Sequence, residues 1–123
     1  MNIIIRPNGT LSIYEQITNQ MKNAIIMGEL AAGEALPSIR ALAASLGVSV
    51  ITTKKAYEIL ENEKLIRSVP GKGFYVSEYN SDYLKEKHYI ELEKRMAELL
   101  EDCTKAGMKK EEIIDMVDAL MND

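Results

Sequence analysis

The side chains of this chain that could do chemistry are cations and hydroxyls rather than nucleophiles. Arg40, Lys54, Lys55 and Lys72 supply the charge, Ser49 and Thr52 the hydroxyls, and Val50 and Ile51 stand among them as apolar groups. Cations of this kind neutralise phosphates, and small hydroxyls reach phosphate oxygens or base edges. An apolar side chain meets the methyl group of thymine. The chemistry that fits the set is recognition of double-stranded DNA, in which no covalent bond is made or broken.

Bond-making groups are sparse. His88 is the only histidine and Cys103 the only cysteine. Two soft ligands so far apart do not make a metal site. His88 reads as a surface or structural residue, and Cys103 as a packed one. No nucleophile–base–acid set stands out. Gly71-Lys72-Gly73 is too short for a phosphate-binding loop and precedes a strand rather than a helix. The expectation is a protein that is not an enzyme and carries neither cofactor nor metal. A single cysteine makes no internal disulfide, no apolar run approaches the roughly 18 residues of a membrane span, and the first residues lack the pattern of a secretory signal. A cytoplasmic location away from membranes is expected.

The DNA-reading set needs a scaffold. Ser38 to Leu46 is a short apolar-periodic segment with Ile39, Leu42, Ala43 and Leu46 facing inward and Ser38 as its cap. Gly47 supplies the positive φ that ends it. Ser49 caps a second helix running to Leu60, on which Thr53, Ala56, Tyr57 and Leu60 face inward. Ile51, Thr52, Lys54, Lys55 and Glu58 face outward. Helix, glycine turn and helix make a helix-turn-helix whose second helix enters the major groove. Arg40 lies off the buried stripe of the first helix, as a phosphate clamp or a solvated arginine. Ahead of this pair, Asn2 to Ile5 suits a small strand or extended arm. Ser12 and Glu15 form a capping box for a helix buried through Ile13, Ile17, Met21, Ala24 and Ile25. Leu30 to Leu36 reads as a connecting loop. After the pair, Leu65–Val69 and Gly73–Val76 are β-type runs joined by Pro70-Gly71-Lys72, a hairpin whose tip can approach the minor groove.

Asn80-Ser81-Asp82 is a polar joint. Beyond it Tyr89, Leu92, Met96, Leu99 and Cys103 recur in steps of three and four from Tyr83 to about Lys105, a heptad-like seam. Gly107 stops that helix. Lys109 to Met121 is a last helix with Ile113, Met116, Val117, Leu120 and Met121 apolar. Two helices are too little chain for a core of their own, and a second copy is the simplest partner. The expected architecture is mainly α with a small β-hairpin wing: a winged helix-turn-helix over residues 1–80, and two C-terminal helices over 81–123 that carry dimerisation. The seam residues, with Ile113, Val117 and Leu120, are the expected contacts. The net charge of −4 is unevenly spread. Residues 1–80 hold 8 Lys and Arg against 7 Asp and Glu; residues 81–123 hold 7 against 12. The acid lies in the tail and leaves the DNA-reading part near neutral.

With these residues in place, the chain resembles the GntR family of winged-helix transcription regulators. Leu36-Pro37-Ser38-Ile39-Arg40-Ala41-Leu42-Ala43 is similar to the family's Leu-Pro-Ser-x-Arg-x-Leu-Ala signature. Gly47-Val48-Ser49, Ala56-Tyr57 and Leu60-Glu61 continue it in register, and Gly71-Lys72-Gly73-Phe74-Tyr75-Val76 matches the wing. Ile13-Tyr14-Glu15-Gln16-Ile17 resembles the first helix of the short-tailed YtrA-like subgroup, whose members carry two C-terminal helices. The resemblance implies a homodimeric regulator, expected to be a repressor, on a palindromic operator. It places Arg40, Ser49, Thr52, Lys54, Gly71 and Lys72 at DNA-contacting positions.

The chain also departs from the pattern. Val50 and Ile51 replace polar residues, so base readout is expected to be more apolar. Thr53 replaces the usual core valine, and its hydroxyl can bond back to the Ser49 carbonyl. Lys64 stands where a glycine usually ends the helix, and Val69-Pro70 replace residues that are often basic. The competing function is an acidic winged-helix module that binds protein instead of DNA; its support is the net charge. A regulator fused to an aminotransferase-like domain shares the motif, but the acidic helical tail argues against it. Operator, regulated genes and any small-molecule effector are not legible.

Overall fold

A computed structural model describes residues 1–78 and 81–122, of Ser81 the backbone alone. Asn80, expected in the polar joint, and Asp123, at the end of the expected tail, lie outside the described residues. The elements are α1 (Ile13–Ile26), α2 (Ile39–Leu46), α3 (Val50–Asn62), β1 (Ile66–Val69), β2 (Gly73–Val76), α4 (Ser81–Lys105) and α5 (Lys110–Met121). The chain separates into two compact units, Met1–Lys85 and Glu86–Asp123, with α4 running from the first into the second.

In the first unit the helices start where short hydroxyl side chains can replace missing backbone partners. Ser12 and Glu15 form the capping box of α1, and Ser38 and Ser49 cap α2 and α3. The stripe of α1 is buried as its spacing requires: Ile17, Met21 and Ile25 are in the core. Leu42 of α2, Ala56, Tyr57 and Leu60 of α3, and Leu65, Ile66 and Val76 of the hairpin complete it. Full burial of each such Leu, Ile or Val is worth about 2 kcal/mol.

Three helices end in the same way. The amides of residues 47 and 48 bond to the carbonyls of Ala44 and Ala43, those of 64 and 65 to Glu61 and Leu60, and those of 107 and 108 to Thr104 and Cys103. This paired closure puts one residue in the left-handed region. That residue is Gly47, Lys64 and Gly107 in turn, with φ of 68°, 63° and 90°.

One segment differs from expectation. Residues 33–36 do not form a plain loop but run along β2. The Gly33 amide donates to the Val76 carbonyl at 2.9 Å, the Val76 amide to Glu34 at 2.9 Å, and the Leu36 amide to Phe74 at 2.9 Å. The outer edge of β2 would otherwise lack partners, and Leu30 and Leu36 anchor the segment by burying at either end. At the N-terminus, where a small strand or an extended arm is expected, no strand forms. Side-chain amides of α1 serve instead: Gln20 bonds both backbone groups of Ile4 at 2.9 and 2.8 Å, and Gln16 both of Arg6 at 2.7 and 3.0 Å.

In the hairpin, Ile66 pairs with Val76, Arg67 with Tyr75, Ser68 with Phe74 and Val69 with Gly73. In the second unit, α5 is closed at its start by the Glu112 carboxylate, which accepts from the Lys109 amide at 3.2 Å. None of its residues is buried.

Candidate nucleic-acid interface

The site is built from the first turn of α3 outward. Gly47 turns the chain after α2, and Ser49 begins the next helix. The Ser49 hydroxyl accepts from the Thr52 amide at 3.0 Å and donates to the Thr52 hydroxyl at 2.8 Å. The Thr53 hydroxyl donates to the Ser49 carbonyl at 3.1 Å, the back-bond that its type suggested. The hydroxyls of this turn are therefore engaged with the turn itself.

The inner face of α3 is fixed by Tyr57, which is fully buried. Its hydroxyl donates to the Pro37 carbonyl at 2.7 Å, and its ring meets Phe74 edge-on at 5.0 Å. Burial pushes the phenol up to about 12. One side chain thus ties α3 to the start of α2 and to β2. Glu61 makes a second tie, its carboxylate accepting from the Ser68 amide of β1 at 3.1 Å. Sequence reasoning placed Tyr57 in the core but missed these bonds. The signal available was a phenol at an apolar position, since a buried hydroxyl requires a partner.

The outer face carries the expected DNA-reading residues. Ile51 is 81% exposed, and Val50 is exposed beside it. Thr52 is half-buried, and Arg40 at the second position of α2 is exposed. The two lysines diverge because neighbours on a helix point about 100° apart. Lys54 lies 3.9 Å from the Glu58 carboxylate, one turn on. Lys55 sits 3.9 Å from the centre of the Tyr14 ring of α1, a cation–π contact. At the wing tip Gly71 and Gly73 have φ of 75° and 109°, and the Lys72 amide donates to the Val69 carbonyl at 2.9 Å. Arg67 of β1, which the sequence reading did not single out, lies over Tyr75 at 5.7 Å and 3.8 Å from the Glu78 carboxylate.

In the second unit Tyr89, Leu92, Met96, Leu99, Val117 and Leu120 are exposed, and Cys103 and Ile113 half-buried. His88 Nδ1 lies 3.7 Å from the Glu91 carboxylate. Among the described residues no group of His, Cys, Asp and Glu could hold a metal ion. Among the same residues no helix is long and apolar enough to cross a membrane.

Comparison with known proteins identifies the family and the fold. The family model for bacterial regulatory proteins, gntR family, matches residues 13–76. The HTH-type transcriptional repressor YtrA of Bacillus subtilis is 33% identical over 121 residues, covering 98% of this chain and 93% of that protein. A GntR family transcriptional regulator from Listeria monocytogenes superposes with a TM-score of 0.74 at 32% identity, covering 91% of this chain and 97% of its own. The DNA-binding domain of AraR, solved in complex with operator ORX1, has a TM-score of 0.55 at 25% identity, over 63% of this chain and 96% of that domain.

Proposed function

The chain belongs to the GntR family of bacterial regulatory proteins, and we propose that it represses transcription as a homodimer bound to a palindromic operator. Its winged helix is that of a transcription regulator, not of an enzyme. The observation that carries the proposal is the first turn of α3. The turn is braced from within by Ser49, Thr53 and Tyr57, and Val50 and Ile51 project from it unburied. A recognition helix needs that combination, because its N-terminal residues must meet base edges without the helix shifting.

In this reading Arg40, Lys54, Lys55 and Lys72 meet phosphates, Ser49 and Thr52 lie against the DNA backbone, and Gly71 lets the wing tip approach a groove. Lys55 must leave or share the Tyr14 ring to do so, a modest cost at an exposed site. Dimerisation belongs to the second unit, where the apolar residues of α4 and α5 stand exposed. A regulator of this kind works in the cytoplasm, where the DNA is.

The competing reading, a protein-binding module, is favoured by the net charge of −4. One experiment separates the two. Arg40→Ala and Lys54→Ala are each compared with the parent chain for binding to its own promoter DNA and to random DNA across a salt series. Weakened binding with an unchanged oligomeric state is expected, with the slope of log K against log salt reduced by about one for each phosphate left without its cation. Promoter binding that neither variant weakens, or a parent that prefers its promoter no more than random DNA, would sink the operator reading.

A further inference from the structure

We propose that the operator is read through thymine methyl groups by Ile51, with Val50 beside it. This inference rests on the operator reading and names what that helix recognises. The first turn of a recognition helix carries the residues that meet base edges, and here each polar side chain in it has a partner. The Ser49 hydroxyl is shared between the Thr52 amide and the Thr52 hydroxyl. Thr53 is fully buried and bonded to Ser49. One turn further, Lys54 lies beside Glu58 and Lys55 over Tyr14. The hydroxyls offer no bidentate fork of the kind that reads guanine or adenine, and both lysines are already engaged by neighbours. What projects is aliphatic: Ile51 is 81% exposed and Val50 46%.

A β-branched side chain is stiff at χ1. Ile51 therefore presents a fixed apolar surface that gives up little freedom on binding. In the major groove one base-pair group suits it, the C5-methyl of thymine. The cations around it act on phosphates, which carry no sequence information, so discrimination falls to the apolar pair.

The test exploits uracil, which keeps every hydrogen-bonding group of thymine and lacks only the methyl. Duplexes that bind the full chain are first selected from random DNA. Each thymine of the selected site is then replaced singly by deoxyuridine, and binding is measured for the parent, Ile51→Ala and Val50→Ala. Both side chains are exposed, so the variants should melt at the parent's temperature. The expected result is one thymine per half-site whose replacement weakens parent binding about fourfold, the worth of one buried methyl-sized group. Ile51→Ala should bind the thymine and uracil duplexes equally. A parent indifferent to uracil at every position overturns the inference but leaves the operator reading standing. So does a thymine preference that survives in both variants. Failure to select any sequence from random DNA overturns the operator reading itself, and this inference with it.

Discussion

Lys64 is the residue at which this chain departs most clearly from what its backbone requires. It closes α3 at a φ of 63°, where the two other helices with the same closing bonds use glycine. For an L-residue that conformation costs roughly 1–2 kcal/mol, because Cβ crowds the following carbonyl. Glycine removes that strain but gives back part of it through a freer unfolded chain. Lys64→Gly should therefore stabilise the protein by about 0.5–1 kcal/mol and raise the thermal midpoint by a few degrees. Calorimetry showing an equal or lower midpoint would refute this. Tyr57 gives a second residue-scale prediction. Its phenol titrates at about 12 in the folded chain against 10 when unfolded. Above pH 10 the unfolded chain releases a proton that the native one keeps, so the contribution of Tyr57 to stability is constant below pH 10 and falls between 10 and 12. Tyr57→Phe should cost about 1 kcal/mol at neutral pH, for the missing bond to Pro37, and flatten that fall relative to the parent. Equal declines in both proteins would show that Tyr57 does not carry it. The type and burial of Tyr57 were legible in the sequence. Its partner was not, because Pro37 lies 20 positions away and contributes a backbone carbonyl, which has no sequence signature.

At the scale of elements, helices were legible because their signals are local. Capping serines, a glycine at the end of α2 and stripes spaced by threes and fours all lie within one helix. What escaped was pairing between distant segments. Residues 33–36 carry no β alternation, yet they line β2 because its outer edge would otherwise go unbonded. The N-terminal run suited a small strand or an extended arm, but its partners are the amides of Gln16 and Gln20, and no rule of strand periodicity anticipates a helix side chain in that place. The cap of α3 shows how an element signal bears on function, since Ser49 holds the helix start and also belongs to the proposed DNA-binding set. Ser49→Ala should lower stability by about 1 kcal/mol and weaken DNA binding. Ser49→Asp separates the two roles: aspartate caps as well as serine, so the melting temperature should hold, while a carboxylate facing phosphates should weaken operator binding more than alanine does. If Ser49→Asp binds DNA as the parent does, Ser49 acts only as a cap.

At the scale of the whole molecule, the second unit lacks the material for a core of its own. Glu86–Asp123 contains two helices and fewer than about 40 residues, below the size at which a core usually supports itself. The apolar seam was expected from a heptad-like repeat, and all of it but Cys103 stands exposed, as does Leu120 of α5: Leu99 is 62% exposed and Leu120 75%. The exposed set is also wider than the seam. Ile90 and Leu100 of α4 and Ile114 of α5 are exposed too. A repeat that selects one residue per turn overlooks their neighbours. An apolar band broader than two positions per heptad is the mark of a bundle helix rather than of a two-stranded coiled coil. If a second copy covers this band, the surface taken from water is large and apolar, and interruption at its centre should be severe. Leu92→Glu combined with Leu99→Glu places two carboxylates per chain where apolar side chains would meet, each uncompensated if buried. Sedimentation equilibrium should then report monomers at concentrations where the parent is dimeric. The melting of the first unit should change little, since Leu92 and Leu99 lie outside it. Operator binding should fall much further than either a cap or a phosphate variant lowers it, because a monomer holds a single half-site. An intact dimer in this double variant would move the interface off α4. A monomer that still bound the full operator as tightly as the parent would show that pairing contributes nothing to recognition.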